Sequence, residues 1–225
     1  MERGIYIYTD TLGRYIHTHA DLGLLYKSET IGGPEVKTNY VDVPGLQGRK
    51  DMTEALGIGV VYGDRTLTFQ FYLDPTTDQN AQYSKVLATL NGKRARIIRA
   101  VDPRHYFEGR ITVDPELKQN KRTYILTIRA TCRPFLKAKA PTAVTAQLTT
   151  TEATIALMNN GTRPVLPALT LSTAATLTVG STSVSLNAGT HQNLAFILQP
   201  GQNTIKAKTL SGTGTLTVTF TEEIH

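Results

Sequence analysis

A single cysteine, Cys132, in a chain of 225 residues has nothing to pair with inside the molecule. No intramolecular disulfide can form, and no cysteine cluster can hold zinc or an iron–sulfur centre. Long apolar runs are missing as well: nowhere do about 18 uncharged apolar residues stand in a row, the length a membrane-spanning helix requires. The opening residues MERGIYIYTD have neither the basic start nor the apolar stretch of a secretory signal. Together these absences predict a soluble protein folded in a reducing cytoplasm. Tryptophan is absent throughout, and from residue 141 onward tyrosine is absent too, leaving Phe196 and Phe220 as the only aromatic residues there.

What is present divides unevenly. The formal charge of +6 comes wholly from residues 1–140, because residues 141–225 hold three basic and three acidic residues. All ten tyrosines precede residue 125, while residues 141–225 hold 20 threonines. Such a shift in composition predicts two separately packed domains, 1–136 and 146–225, joined by a linker at 137–145 near Pro134 and Pro141.

Period-two alternation makes the first domain mostly strands. In RTLTFQFYL, Leu67, Phe69, Phe71 and Leu73 point one way and Thr66, Thr68, Gln70 and Tyr72 the other. Gly63-Asp64 predicts a tight hairpin turn between VVY and RTL, since glycine supplies a positive φ. A longer hairpin joins HYFEGRITVD to TYILTIRATC across PELKQNK, with Phe107, Ile111 and Val113 facing Tyr124, Leu126, Ile128 and Cys132. One helix is expected in TTDQNAQYSKVLATLNG, capped by Thr76, buried along Tyr83, Val86, Leu87 and Leu90, and ended by Gly92. The second domain has only short strands punctuated by Gly, Asn and Ser, the pattern of an antiparallel β-sandwich. The fold class expected is mainly β, with an N-terminal β-sandwich-type domain carrying one packed helix.

No constellation carries chemistry. Asp102, His105 and Glu108 in DPRHYFEGR would converge on a helix, but Pro103 and the apolar alternation make the segment a strand, on which His105 and Glu108 point to opposite faces. Gly57, Gly59 and Gly63 have the wrong spacing for a phosphate loop and precede no helix. Cys132 alternates inward with Ile128, as a buried structural thiol would. The basic run NGKRARIIR could track phosphates, yet Arg94 and Arg96 share one face and Ala95 and Ile97 the other, as on an ordinary strand. The expectation is no enzyme, no metal, no cofactor and no sequence-specific nucleic acid.

Residues 41–56, VDVPGLQGRKDMTEAL, are too polar for a core. Pro44-Gly45 marks a turn and Gly48 permits another reversal, while Asp51 is placed to cap a short helical turn with Glu54 reaching back. Preceded by strand-like Val36, Tyr40, Val41 and Val43, the segment reads as a rigid charged loop that presents a surface. The expected interaction surface is Asp42, Pro44, Gly45, Gly48, Arg49, Lys50, Asp51, Glu54 and Arg65.

Several ordered motifs carry a resemblance: V-P-G-x-x-G at 43–48, D-x-T-E at 51–54, Y-x-x-R-T-L at 62–67, L-N-G-K at 90–93, Y-x-x-G-R at 106–110 and C-x-P at 132–134. Across about residues 20–136 the chain resembles the N-terminal domain of the siphophage distal tail (Dit) protein family. LMNNGTRPVLPALTL and LQPGQNTIKAKTLSGTGTLTVTF are similar to that family's C-terminal, galectin-like β-sandwich. The resemblance implies a structural hub of a long non-contractile phage tail tip, assembled in the host cytoplasm and located in the virion. It implies a homo-hexameric ring joining the tail tube protein to a tail-associated (Tal-like) protein, with receptor-binding or other baseplate proteins as further partners and no membrane contact. The alternative is a carbohydrate-binding host-adhesion module acting through the second domain. Against tight sugar binding stands the lack of Trp and Tyr there, since sugar sites commonly stack a pyranose face on such rings.

Overall fold

The computed structural model describes residues 4–55, 60–114, 118–120, 123–192 and 196–225. The chain is mainly β and divides into two compact units, Met1–Leu136 and Lys137–His225.

In the first unit the strands are β1 (Ile5–Thr9), β2 (Tyr15–His17), β3 (Leu25–Ile31), β4 (Tyr40–Asp42), β5 (Arg49–Asp51), β6 (Arg65–Tyr72), β7 (Arg94–Arg99), β8 (Asp102–Val113), β9 (Lys118–Asn120) and β10 (Thr123–Cys132), with one helix, α1 (Gln79–Leu90). The main sheet runs β2-β1-β7-β8-β10-β6-β3, and these neighbours are antiparallel. Its inner face is built by the alternation expected: Leu67, Phe69 and Phe71 of β6, Ile97 of β7, Ile111 of β8 and Leu126 and Ile128 of β10 are all fully buried. Val86 and Leu90 of α1 are also fully buried, against β8 and β10. The long hairpin forms with Ile128 opposite Val113 and Cys132 opposite Gly109, and β9 adds to β10 within its connection.

Two local expectations are corrected. The helix is capped by Asp78, whose carboxylate accepts from the N–H groups of Asn80 and Ala81 at 3.0 and 3.1 Å. Thr76 instead donates its N–H and hydroxyl to Asp74, closing a turn that leaves it one step too early to cap. The C-terminal expectation stands: Gly92, at φ 72°, follows the last turn, and its N–H donates to Ile111 O. The hairpin at Gly63-Asp64 does not form. Tyr62 pairs with Val36 and the Gly63 N–H donates to Glu35 O at 2.7 Å, so the strand before Gly63 pairs with a distant segment and not with β6. Leu56, Gly57 and Gly59 lie outside the described residues, and with them the end of the capped helical turn expected to run through Leu56.

The stretch expected as a linker, 137–145, is largely strand: β11 (Leu136–Ala138) and the start of β12 (Thr142–Leu148) occupy it. The second unit continues with β13 (Ala153–Asn159), β14 (Ala168–Leu171), β15 (Ala175–Val179), β16 (Thr182–Leu186), β17 (Gly189–His191), β18 (Gly201–Thr209), β19 (Gly214–Phe220) and β20 (Glu223–Ile224). Two four-stranded sheets, β12-β19-β14-β17 and β13-β18-β15-β16, share one core that includes Leu157, Leu169, Leu177, Ile205, Leu216 and Phe220. This is an antiparallel β-sandwich. Its outer faces carry paired hydroxyls: Thr145 with Thr217, Thr170 with Thr190, Thr176 with Ser185 and Thr178 with Ser183, at 2.7–3.1 Å. Phe220 is core at 3% exposure, whereas Phe196 is half-buried against that core.

Candidate functional site

The segment expected to be a loop is a hairpin of its own. β4 and β5 pair in the register Tyr40–Asp51, Val41–Lys50 and Asp42–Arg49, and form a two-stranded sheet separate from the main one. Gly45 and Gly48 make the reversal at φ 84° and 82°, a conformation that disfavours a side chain. The Leu46 N–H donates to Val43 O within it. At the base, Asp51 takes the capping part expected of it at a turn over residues 53–55: its carboxylate accepts from the Thr53 N–H at 2.9 Å, and the Thr53 hydroxyl accepts from the Asn39 N–H. Thr53, through its hydroxyl and its N–H, holds the Asp51 carboxyl below its ordinary range.

Every residue from 35 to 51 is exposed. Val36, Tyr40, Val41, Val43 and Leu46 are 41–53% exposed, a density of surface apolar side chains found nowhere else among the described residues. A lone two-stranded hairpin is marginal in water, and a contiguous apolar patch marks a contact surface. Asp42, Pro44, Gly45, Gly48, Arg49, Lys50, Asp51 and Glu54 thus stand together on an arm, with Arg49 folded over the Tyr40 ring at 5.2 Å. The apolar residues beside them were legible as strand but not as surface. The available signal was the lack of strict alternation in Tyr40-Val41-Asp42-Val43.

Arg65 does not join them. At 8% exposure it is buried at the root of the arm, where its Nε donates to Gly32 O at 2.8 Å and a terminal nitrogen to Pro134 O at 3.1 Å. Its guanidinium lies over Phe107 at 5.2 Å. Arg65 faces Cys132 across the β6–β10 ladder, and on the other side of β10 Cys132 faces Gly109. The Y-x-x-R-T-L, Y-x-x-G-R and C-x-P motifs therefore meet at one place, and their role there is to fix the sheet beneath the arm. Burial pushes the Cys132 thiol up to about 12, so it is no nucleophile.

Asp102 and His105 form a local pair at 2.9 Å, and Glu108 binds Arg94 at 2.6 Å. Among the described residues no three His, Cys, Asp or Glu side chains cluster as metal ligands would.

No family model matches the sequence, and no curated protein matches it. Among solved structures, the fold matches that of a phage hub protein. It matches the crystal structure of the SPP1 Dit (gp 19.1) protein, described as a paradigm of the hub adsorption apparatus in phages infecting Gram-positive hosts. The TM-score is 0.68 over 97% of this chain and 98% of that one, at 15% identity. At that identity the likeness establishes the fold. A chain from the tail of an empty GTA particle covers 62% of this chain at 12% identity and a TM-score of 0.37, too low to argue from.

Proposed function

We propose that the chain is a structural hub of a phage tail tip, assembling as a closed homo-hexameric ring between the tail tube and a tail-associated protein. The observation that carries this reading is the arm: a hairpin without a core, bearing the four exposed apolar side chains Tyr40, Val41, Val43 and Leu46, on a chain with the Dit fold. Such an element gains its burial from a neighbour, and a contact repeated head to tail closes into a ring when its rotation allows. A hub also needs no active site, and it functions in the virion after assembly in the host cell.

Light scattering on the purified chain over a range of concentrations, with negative-stain imaging, tests the proposal: ring-shaped particles of six copies are expected, and a strict monomer at every concentration overturns it. The double variant Arg49→Ala, Asp51→Ala is expected to keep the fold, since exposed charges contribute about 0–1 kcal/mol, while assembly weakens.

The adhesion reading has one observation of its own, a cavity of about 480 Å³ in the second unit lined by Leu177, Val179, Thr182, Val184 and Phe196 among others. Its lining mixes aliphatic side chains with Thr182, Ser183 and Gln199, and its one aromatic ring is half-buried. Titration with host-wall oligosaccharides is expected to show no saturable binding below about 1 mM, because a few net hydrogen bonds do not offset the cost of holding a ligand. A micromolar constant abolished by changing Arg163 or His191 would establish the adhesin.

A further inference from the structure

In the second unit, β16 ends the sheet β13-β18-β15-β16 and pairs only with β15. Its register with β15 is unbroken from Thr182 to Leu186, and Val184 stands opposite Leu177. Residues directly opposite one another share a face. Val184 therefore points to the core side, as Leu177 does at 1% exposure, yet Val184 is 36% exposed. The reason is the cavity of about 480 Å³ that opens along this edge, with Val179, Thr182 and Val184 on the β15–β16 side and Phe196, Ile197 and Gln199 completing it. Ile197 is 50% exposed there. On the opposite face of β16, Ser183 and Ser185 are held by Thr178 and Thr176. Edge strands usually carry a charge, a proline or a bulge that turns further strands away. β3, at an edge of the main sheet, has Lys27, Glu29 and a register shift between Tyr26 and Ser28. β16, with the sequence Thr-Ser-Val-Ser-Leu, has none of the three.

We propose that β16 accepts an extended, uncharged segment of another protein as a further strand of this sheet, with an apolar side chain of that segment entering the cavity beside Val184. Hydrogen bonding and charge select this occupant. A sheet edge offers N–H and C=O groups at strand spacing, which an extended peptide matches and a small apolar molecule does not. Neither β16 nor the described cavity lining holds an ionisable side chain, so a phosphate polymer or a lipid headgroup finds no counter-charge, and a charged peptide would be desolvated without a partner. The arm, with Asp42, Arg49 and Lys50, is excluded on that ground. The β16 of a second copy is excluded by geometry: it is already fixed over its own cavity, so it could lie edge to edge but send no side chain into this one. Alternate residues of the added strand would continue the Leu177–Val184 row inward and the Thr176–Ser185 hydroxyl row outward, which calls for apolar residues alternating with threonine or serine. The inference does not rest on the ring reading.

Fluorescence anisotropy on the full chain, with the labelled, end-capped heptapeptide Thr-Val-Thr-Val-Thr-Val-Thr as probe, tests it. Saturable one-to-one binding below about 1 mM is expected. Val184→Lys, which puts a charge into the cavity mouth, is expected to weaken it roughly tenfold or more. The milder Ile197→Ser should weaken it in the same direction with the thermal midpoint nearly unchanged. Two further probes, N-methylated at every valine or at every threonine, keep all side chains and each remove the donors of one peptide edge; one of the two is expected to lose binding. No binding up to that concentration, or binding that both protein variants leave unchanged, overturns the proposal. Equal binding of the parent probe and both methylated ones would make the cavity a site for an apolar side chain alone and overturns strand addition. Self-association of the chain that disappears in Val184→Lys, read by sedimentation, would assign the edge to a second copy and likewise overturns it.

Discussion

Gly109 lies so close to β10 that a Cβ on it would stand 2.2 Å from Thr131 O and 2.6 Å from Cys132 Sγ. Neither neighbour is the free end of a flexible side chain, so Gly109→Ala has to push two strands apart. A loss of about 1–3 kcal/mol or more is expected from urea unfolding. Beside it, Cys132 is 1% exposed, and burial raises its thiol from the ordinary 9.0 to about 12. In native buffer at neutral pH a disulfide reagent should leave it untouched, and in urea it should label completely. Because the folded thiol is the weaker acid, its contribution to stability is whole below pH 9 and declines from there to about pH 12. Asp21 works in the opposite direction. The His17 N–H and Arg14 hold its carboxyl below the ordinary 3.8, so its contribution is present above that pH and declines as the pH falls through the lower folded value. Asp21→Asn should flatten the acid limb of a stability–pH curve.

At the scale of elements, α1 supplies a clean test. Replacing Asp78 by alanine removes the acceptor for two N–H groups of the first turn and should cost about 0.5–2 kcal/mol, read from chemical denaturation; Thr76→Ala should cost less. The choice between Asp78 and Thr76 was not legible in the sequence, because either could cap and a local turn at Asp74 decided it. Strand faces were legible wherever one side was buried, as at Leu67-Phe69-Phe71, since alternation is then forced by the pleat. Pairings between distant segments were not. Gly63-Asp64 has the composition of a tight turn, and only the bridge from Tyr62 to Val36 shows that the turn has no hairpin to make. The arm was half legible: its turn residues and charges stood out, while its detachment from the main sheet depends on what β6 pairs with elsewhere. Arg65 was misjudged for a related reason, since a charged side chain in a polar context gives no sign that Gly32 O and Pro134 O wait for it inside.

For the whole molecule, the change of composition near residue 140 marked two bodies, each with its own buried set. The first holds nearly all the charge and the arm; the second holds hydroxyls. The threonine pairs on the outer faces of the sandwich have a consequence for the medium in which the protein works. A surface held by neutral hydroxyl pairs attracts almost no ion atmosphere, and five basic and three acidic residues leave the second unit little for dissolved salt to screen. Its unfolding should hardly move between dilute buffer and seawater-like ionic strength. The second unit would stay intact from dilution to brine, and salt would act on the more highly charged first unit.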